Sequence, residues 1–227
     1  MSSPVVAIDG PAASGKSSTA GAVARRLGFL HVDSGALYRG LTRVAVDAGG
    51  RPSAGEIIHS SETRQLQYRA RGAGLALYLD GQPAEARIRG EDVTGGVSAV
   101  SAMPEIRDWV NRGLRALLGV GRPLVVDGRD IGTAVFPDAA VKVYLVASPE
   151  ERARRRLRQR GEAVGPAALA EESGRIAARD LADSTRAVAP LRPADDAVLI
   201  DTSHLGFEEQ VARIVAVIRR AGLPGVG

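Results

Sequence analysis

Gly10-Pro11-Ala12-Ala13-Ser14-Gly15-Lys16-Ser17 places two glycines, a lysine and a hydroxyl at the spacing G-x-x-x-x-G-K-[ST]. That spacing suits a polyphosphate. The glycines let successive backbone N–H groups close on phosphate oxygens where a Cβ would obstruct. Lys16 is placed to reach the β- and γ-phosphates, and the Ser17 hydroxyl to ligate Mg2+. Ser18 completes the run expected to line a triphosphate. A second group sits at Gly128-Arg129-Asp130-Ile131-Gly132, a charged pair flanked by glycines. A third is Arg175, Arg179 and Asp183, recurring at i, i+4 and i+8, with Arg186 just beyond. Arginine is the planar, permanently charged fork that holds phosphate through two hydrogen bonds. A gripped triphosphate, a metal-ligating hydroxyl and convergent guanidiniums are the parts of phosphoryl transfer.

These groups need a scaffold, and the flanking residues supply one. Val5-Val6-Ala7-Ile8 reads as a buried strand leading into the glycine loop. Lys16 to Leu27 reads as the helix leaving it, with Ala20, Val23, Ala24 and Leu27 on one face and Gly28 as its stop. Further buried strands are expected over Phe29–Asp33, Pro123–Asp127, Val141–Val146 and Ala197–Ile200. The charged pair Arg129-Asp130 follows the third of these, at the carboxyl edge where open α/β sheets bind ligands. Ser34 is the expected N-cap of a helix striped by Leu37, Leu41 and Val44, with Tyr38 and Arg39 off the stripe. Ser53 and Glu56 read as a capping box. Leu75–Leu79 reads as a strand, Asp80-Gly81 as its turn and Ala86–Ile88 as a return strand. Pro104 opens a helix with Ile106, Trp109, Val110, Leu114, Leu117 and Leu118 inward. Ser148-Pro149 opens an arginine-rich helix that ends at Gly161. A closing helix carries Val211, Ile214, Val215 and Ile218. The fold class is therefore α/β: about five parallel strands with helices on both faces. Roughly 35–105 and 152–186 interrupt the alternation as movable covers.

Composition narrows the function. The 227 residues, 44% of them hydrophobic, suffice for one sizeable core. Cysteine is absent, which suits a reducing compartment. No signal-peptide pattern and no bilayer-length apolar run occurs, so a cytoplasmic protein without a membrane partner is expected. The formal net charge is +4, and all but Lys16 and Lys142 of the 30 basic residues are arginine. Aromatics are only 4% and the acidic residues are interspersed, so no nucleic-acid platform is expected. His31, His59 and His204 lack metal-ligand spacing and read as structural or surface residues. The motif alone leaves open a small kinase for another nucleotide or a metabolite, and a nucleic-acid-bound ATPase or P-loop switch. The guanine-reading Asn-Lys-x-Asp pattern is absent, because neither lysine follows an asparagine.

Four segments decide among these. Ile8-Asp9-Gly10-Pro11, Asp33-Ser34-Gly35-Ala36-Leu37-Tyr38-Arg39, the run from Asp127-Gly128-Arg129-Asp130 through Asp138-Ala139, and Arg186-Ala187-Val188-Ala189-Pro190-Leu191 resemble the bacterial cytidylate kinases. That resemblance covers nearly the whole chain. It implies a single P-loop kinase domain: core 1–34, 106–151 and 187–227, a nucleoside monophosphate-binding insert at about 35–105 and a lid at about 152–186. It implies ATP, with Mg2+, as donor and CMP or dCMP as acceptor, in a monomer. By match of motif, Ser34, Tyr38, Arg39, Ser98, Arg107, Arg129, Asp130, Arg179, Asp183 and Arg186 would hold CMP. Ser98 is chosen over Ser101 by its spacing to Pro104. Lys16, Arg129, Arg179 and Arg186 would carry the catalytic charge stabilisation.

Overall fold

The structure, a computed structural model, describes residues 3–71 and 74–223. The chain divides into two compact units. One runs to His31 and resumes at Gly121, and the other is Val32–Val120.

The first unit starts with β1 (Val5–Asp9), whose five residues are all buried. Gly15 then opens α1 (Lys16–Leu27), and Gly28 ends it in the left-handed conformation, its N–H donating to Ala24 and Arg25 carbonyls. β2 (Leu30–Asp33) follows. In the second unit come α2 (Ser34–Ala48), α3 (Ala54–Thr63), β3 (Gln67–Arg71), β4 (Gly74–Leu79), β5 (Gln82–Pro83), α4 (Glu91–Ser101) and α5 (Pro104–Ala116). The chain returns to the first unit with β6 (Leu124–Gly128), β7 (Val141–Val146), α6 (Pro149–Arg160), α7 (Pro166–Thr185), β8 (Val198–Asp201) and α8 (Phe207–Arg220).

The main sheet has the order β2-β6-β1-β7-β8. β6 and β7 flank β1 in parallel, and β8 pairs in parallel with β7. Because β1 and β6 are buried along their whole length, they read as continuous apolar runs rather than alternating ones. α1 and α8 pack together over one face. Val6, Ile8, Ala20, Val23, Val125, Val143, Ile214, Val215 and Ile218 fill the space between.

The second unit is built on α2, which packs on α3 and α4, and on the antiparallel sheet β3-β4-β5. The Ser53–Glu56 capping box is formed in both directions. Three local expectations are corrected. The N-cap of α2 is Asp33, whose carboxylate accepts from the Ala36 N–H, while Ser34 is the first helical residue and is buried. The return strand is Gln82–Pro83, paired with Leu79 and Tyr78, and Glu85–Ile88 coils into a 3-10 turn. The helix from Pro104 stops at Ala116, and Leu117 and Leu118 lie half-buried in the 3-10 turn after it.

Candidate active site

The loop after β1 has the backbone of an anion cradle. Ala13 and Gly15 take positive φ, 58° and 87°, which turns successive amides toward one side. Gly10 cannot carry a side chain: a Cβ there would drive into the Leu145 carbonyl oxygen of β7. Lys16 is buried and folds back over the loop, its Nζ donating to the Pro11 carbonyl at 2.9 Å. The Ser17 hydroxyl donates to Asp127 Oδ2, a short contact across from the end of β6. Asp127 Oδ1 lies 2.7 Å from His31 Nε2, so this buried carboxylate is held on two sides. A hydroxyl beside a carboxylate is a hard-oxygen set of the kind that Mg2+ takes when phosphates supply its other ligands.

The end of β6 carries the charged pair. Arg129 Nε donates to Asp183 Oδ2 at 3.0 Å, and Arg186 Nη2 donates to Asp130 Oδ1 at 3.1 Å. Two strand-end residues and two residues from the end of α7 are thus joined as crossed ion pairs. Asp130 and Asp183 are both nearly inaccessible, 4% and 5% exposed, so each carboxylate depends on its arginine. Arg179 is half-buried on α7. Arg175 is not with this group. It faces solvent and pairs with Glu171. The inward stripe of α7 is Glu172, Ile176, Asp180 and Asp183, which shares only Asp183 with the expected row of Arg175, Arg179 and Asp183.

The arginines of α6 are engaged within their own unit. Arg154 and Arg155 bind Glu151, and Arg160 binds Glu172. Arg155 also donates to the Ser14 carbonyl at 3.2 Å and to Thr202. Arg152 donates to the Ala12 carbonyl at 3.1 Å and to Asp180, whose other oxygen accepts from the Ala12 N–H at 2.9 Å.

Asp9, the last residue of β1, accepts from the N–H groups of Ile131 and Gly132 at 2.9 and 2.8 Å. Burial pushes its carboxyl up to about 7, against the lowering effect of those two amides and of Lys16. Asp9, Asp127, Arg152 and Asp180 had no role assigned from sequence. A helical-period count on α7 would have raised Asp180. The backbone amides that Asp9 and Asp180 accept from are more than a hundred residues away, and no local pattern points to them.

In the second unit, Ser34 and Tyr38 lie one turn apart on α2 and both are buried. Arg107, fully buried on α5, stacks its guanidinium over the Tyr38 ring at 5.6 Å. It also donates to the Ser101 carbonyl at 3.1 Å. Tyr38 and Arg107 are thus buried together, guanidinium against ring. Arg39 is half-buried on the same helix, and Ser98 is half-buried on α4. The Ser101 hydroxyl donates to the Ser98 carbonyl at 3.1 Å, a local bond that occupies the alternative serine.

A family model described as cytidylate kinase matches residues 6–220. The chain belongs to the cytidylate kinase family. A cytidylate kinase of Pseudomonas savastanoi pv. phaseolicola is 42% identical over 231 residues, covering 99% of each chain. A cytidylate kinase of Rhodococcus jostii is 44% identical over 222 residues, covering 94% of each. Among solved structures, the protein TT1252 from Thermus thermophilus superposes with a TM-score of 0.50 at 18% identity, over 97% of this chain and 98% of that one. At that identity the likeness concerns the fold, and it agrees with the five-stranded α/β kinase architecture. This cytidylate kinase family member has no described helix long and apolar enough to cross a membrane.

Proposed function

We propose that the chain transfers the γ-phosphoryl group of ATP to CMP or dCMP, giving ADP and CDP or dCDP, as an enzyme of pyrimidine nucleotide metabolism. Family membership supports the chemistry. The observation that carries the assignment of residues is strand register. Asp9 lies opposite Gly128, so Gly10 and Arg129 leave adjacent parallel strands at the same sheet edge. The donor-gripping loop and the first acceptor-side arginine therefore begin side by side.

On this reading Gly10 to Ser18 hold the triphosphate, and Lys16 takes the β- and γ-phosphates. Ser17, backed by Asp127, would hold Mg2+, which when bound spreads charge from the β- and γ-oxygens. Ser34, Tyr38, Arg39, Ser98 and Arg107 receive CMP together with Arg129, Asp130, Arg179, Asp183 and Arg186. An oxygen of the CMP phosphate attacks the γ-phosphorus, the bond to the β-phosphate oxygen breaks, and ADP leaves with the electron pair. The attacking oxygen is already anionic, so no side chain has to remove a proton. Lys16, Arg129, Arg179 and Arg186 act by positioning and by offsetting charge. Residues at about 35–105 and 152–186 serve as acceptor insert and lid, whose closure excludes water. We read the enzyme as a cytoplasmic monomer.

An acceptor panel tests the proposal. With ATP and Mg2+, CMP and dCMP are expected to be phosphorylated in preference to UMP and AMP. Turnover of AMP at the rate of CMP, or ATP hydrolysis indifferent to all four, would reject it.

A further inference from the structure

Asp9 is a buried carboxylate with no part in the mechanism above. It stands at the last position of β1, immediately before Gly10. Its two oxygens divide their work: Oδ1 accepts from the Ile131 N–H at 2.9 Å, and Oδ2 from the Gly132 N–H at 2.8 Å. These two amides open the single π-helical turn Ile131–Val135 that starts directly after Arg129-Asp130. They are the first amides of that turn, which have no partner within it, so the carboxylate does for it what a cap does for a helix.

The site around Asp9 is built for close approach. A Cβ on Gly132 would lie 3.5 Å from Asp9 Oδ2, in ordinary contact, and 3.1 Å from Lys142 Cδ, so the turn sits against the carboxylate and the lysine stem would have to give way to a side chain there. Asp130 adopts φ −146° and ψ 26°, outside the regular helix and strand regions, at the point where the chain leaves β6 for the turn. Neighbouring charges are Lys16, which attracts the carboxylate, and Asp130, which repels it.

We propose that Asp9 is a positioning residue for the acceptor nucleotide: by holding the Ile131 and Gly132 amides it sets the turn that presents Arg129 and Asp130. One carboxylate thereby ties the strand that launches the donor loop to the strand end that reads the acceptor. The inference rests on the proposed acceptor-side role of Arg129 and Asp130. It extends that reading to a residue that touches neither nucleotide.

Asp9→Asn separates this role from a merely structural one. The amide side chain keeps the shape but can accept from only one of the two N–H groups, and its NH2 opposes the other. The expected result is a KM for CMP raised about tenfold, with the KM for ATP within about twofold of the unsubstituted enzyme. Amide hydrogen exchange, read by NMR on the nucleotide-free protein, is expected to quicken at Ile131 or Gly132 while the α1 amides keep their protection. Equal rises in both KM values, an unchanged KM for CMP, or unaltered exchange at both amides would overturn the proposal. Absence of CMP turnover in the unsubstituted enzyme would instead overturn the acceptor assignment. The exchange measurement, which needs no substrate, tells the two failures apart.

Discussion

Asp180 reaches from α7 to the phosphate loop and accepts the Ala12 N–H at 2.9 Å. Arg152 engages the other backbone polar atom of the same residue, donating both to the Ala12 carbonyl and to Asp180. Ala12, Ala153 and Ile176 form a small buried apolar cluster beneath the pair. The α6–α7 hairpin is therefore docked on one loop residue through both polar atoms of its backbone. Asp180→Ala leaves Arg152 buried without its carboxylate and the Ala12 amide without its acceptor. The KM for ATP is expected to rise about fivefold, and the unfolding midpoint to fall, because each stranded buried group costs about 1–3 kcal/mol. ATP titration and thermal unfolding of the variant check this.

Lys16→Ala removes the charge that the loop holds over the Pro11 carbonyl. Catalysis should suffer far more than folding, since the lysine is assigned a central place in offsetting γ-phosphate charge. A fall in kcat of about a hundredfold or more is expected, with a thermal midpoint close to that of the unsubstituted chain. Stopped-time assays beside a melting curve separate the two effects.

Arg129→Ala breaks the bond to Asp183 and removes an acceptor-side guanidinium. The KM for CMP is expected to rise about tenfold more than that for ATP, the scale of a lost hydrogen bond between charged groups. Equal weakening of both substrates in paired titrations would reject the assignment of Arg129 to the acceptor.

The legibility of these residues in the sequence followed the range of their interactions. The phosphate loop was readable because strand, glycines, lysine and helix are consecutive, and the strand positions because their apolar runs are short and bounded, but β8, expected to be buried, is an edge strand that buries only Ile200 and leaves Val198 and Leu199 exposed. α4 was not readable, since Gly95-Gly96 interrupts a weakly apolar helix whose partner is α2. Serine and aspartate both favour a cap, so the pair Asp33-Ser34 does not by itself say which one opens α2, and only the backbone geometry shows Asp33 accepting from Ala36. Arg175 was grouped with Arg179 by spacing alone. Tertiary packing keeps Asp183 on the inward face, adds Ile176 and Asp180 to it and leaves Arg175 in solvent.

Asp9 also makes stability depend on pH. Its carboxyl titrates near 3.8 when unperturbed and near 7 in the folded chain, where burial outweighs Lys16 and the two amides. Between these values the folded state holds a proton that the unfolded chain has released. The corresponding stability is complete below the lower value and lost as pH rises toward the upper one. Urea unfolding at a series of pH values should show this declining contribution, and Asp9→Asn should lack it. A slope identical in the two proteins would contradict the assignment.

The central claim is that one loop passes a phosphoryl group to a cytidine nucleotide. Phosphorus NMR of the enzyme with ATP, Mg2+ and CMP follows every species at once. The signals of CDP are expected to grow in step with those of ADP, with little inorganic phosphate. ADP and inorganic phosphate accumulating while CMP stays intact would contradict it.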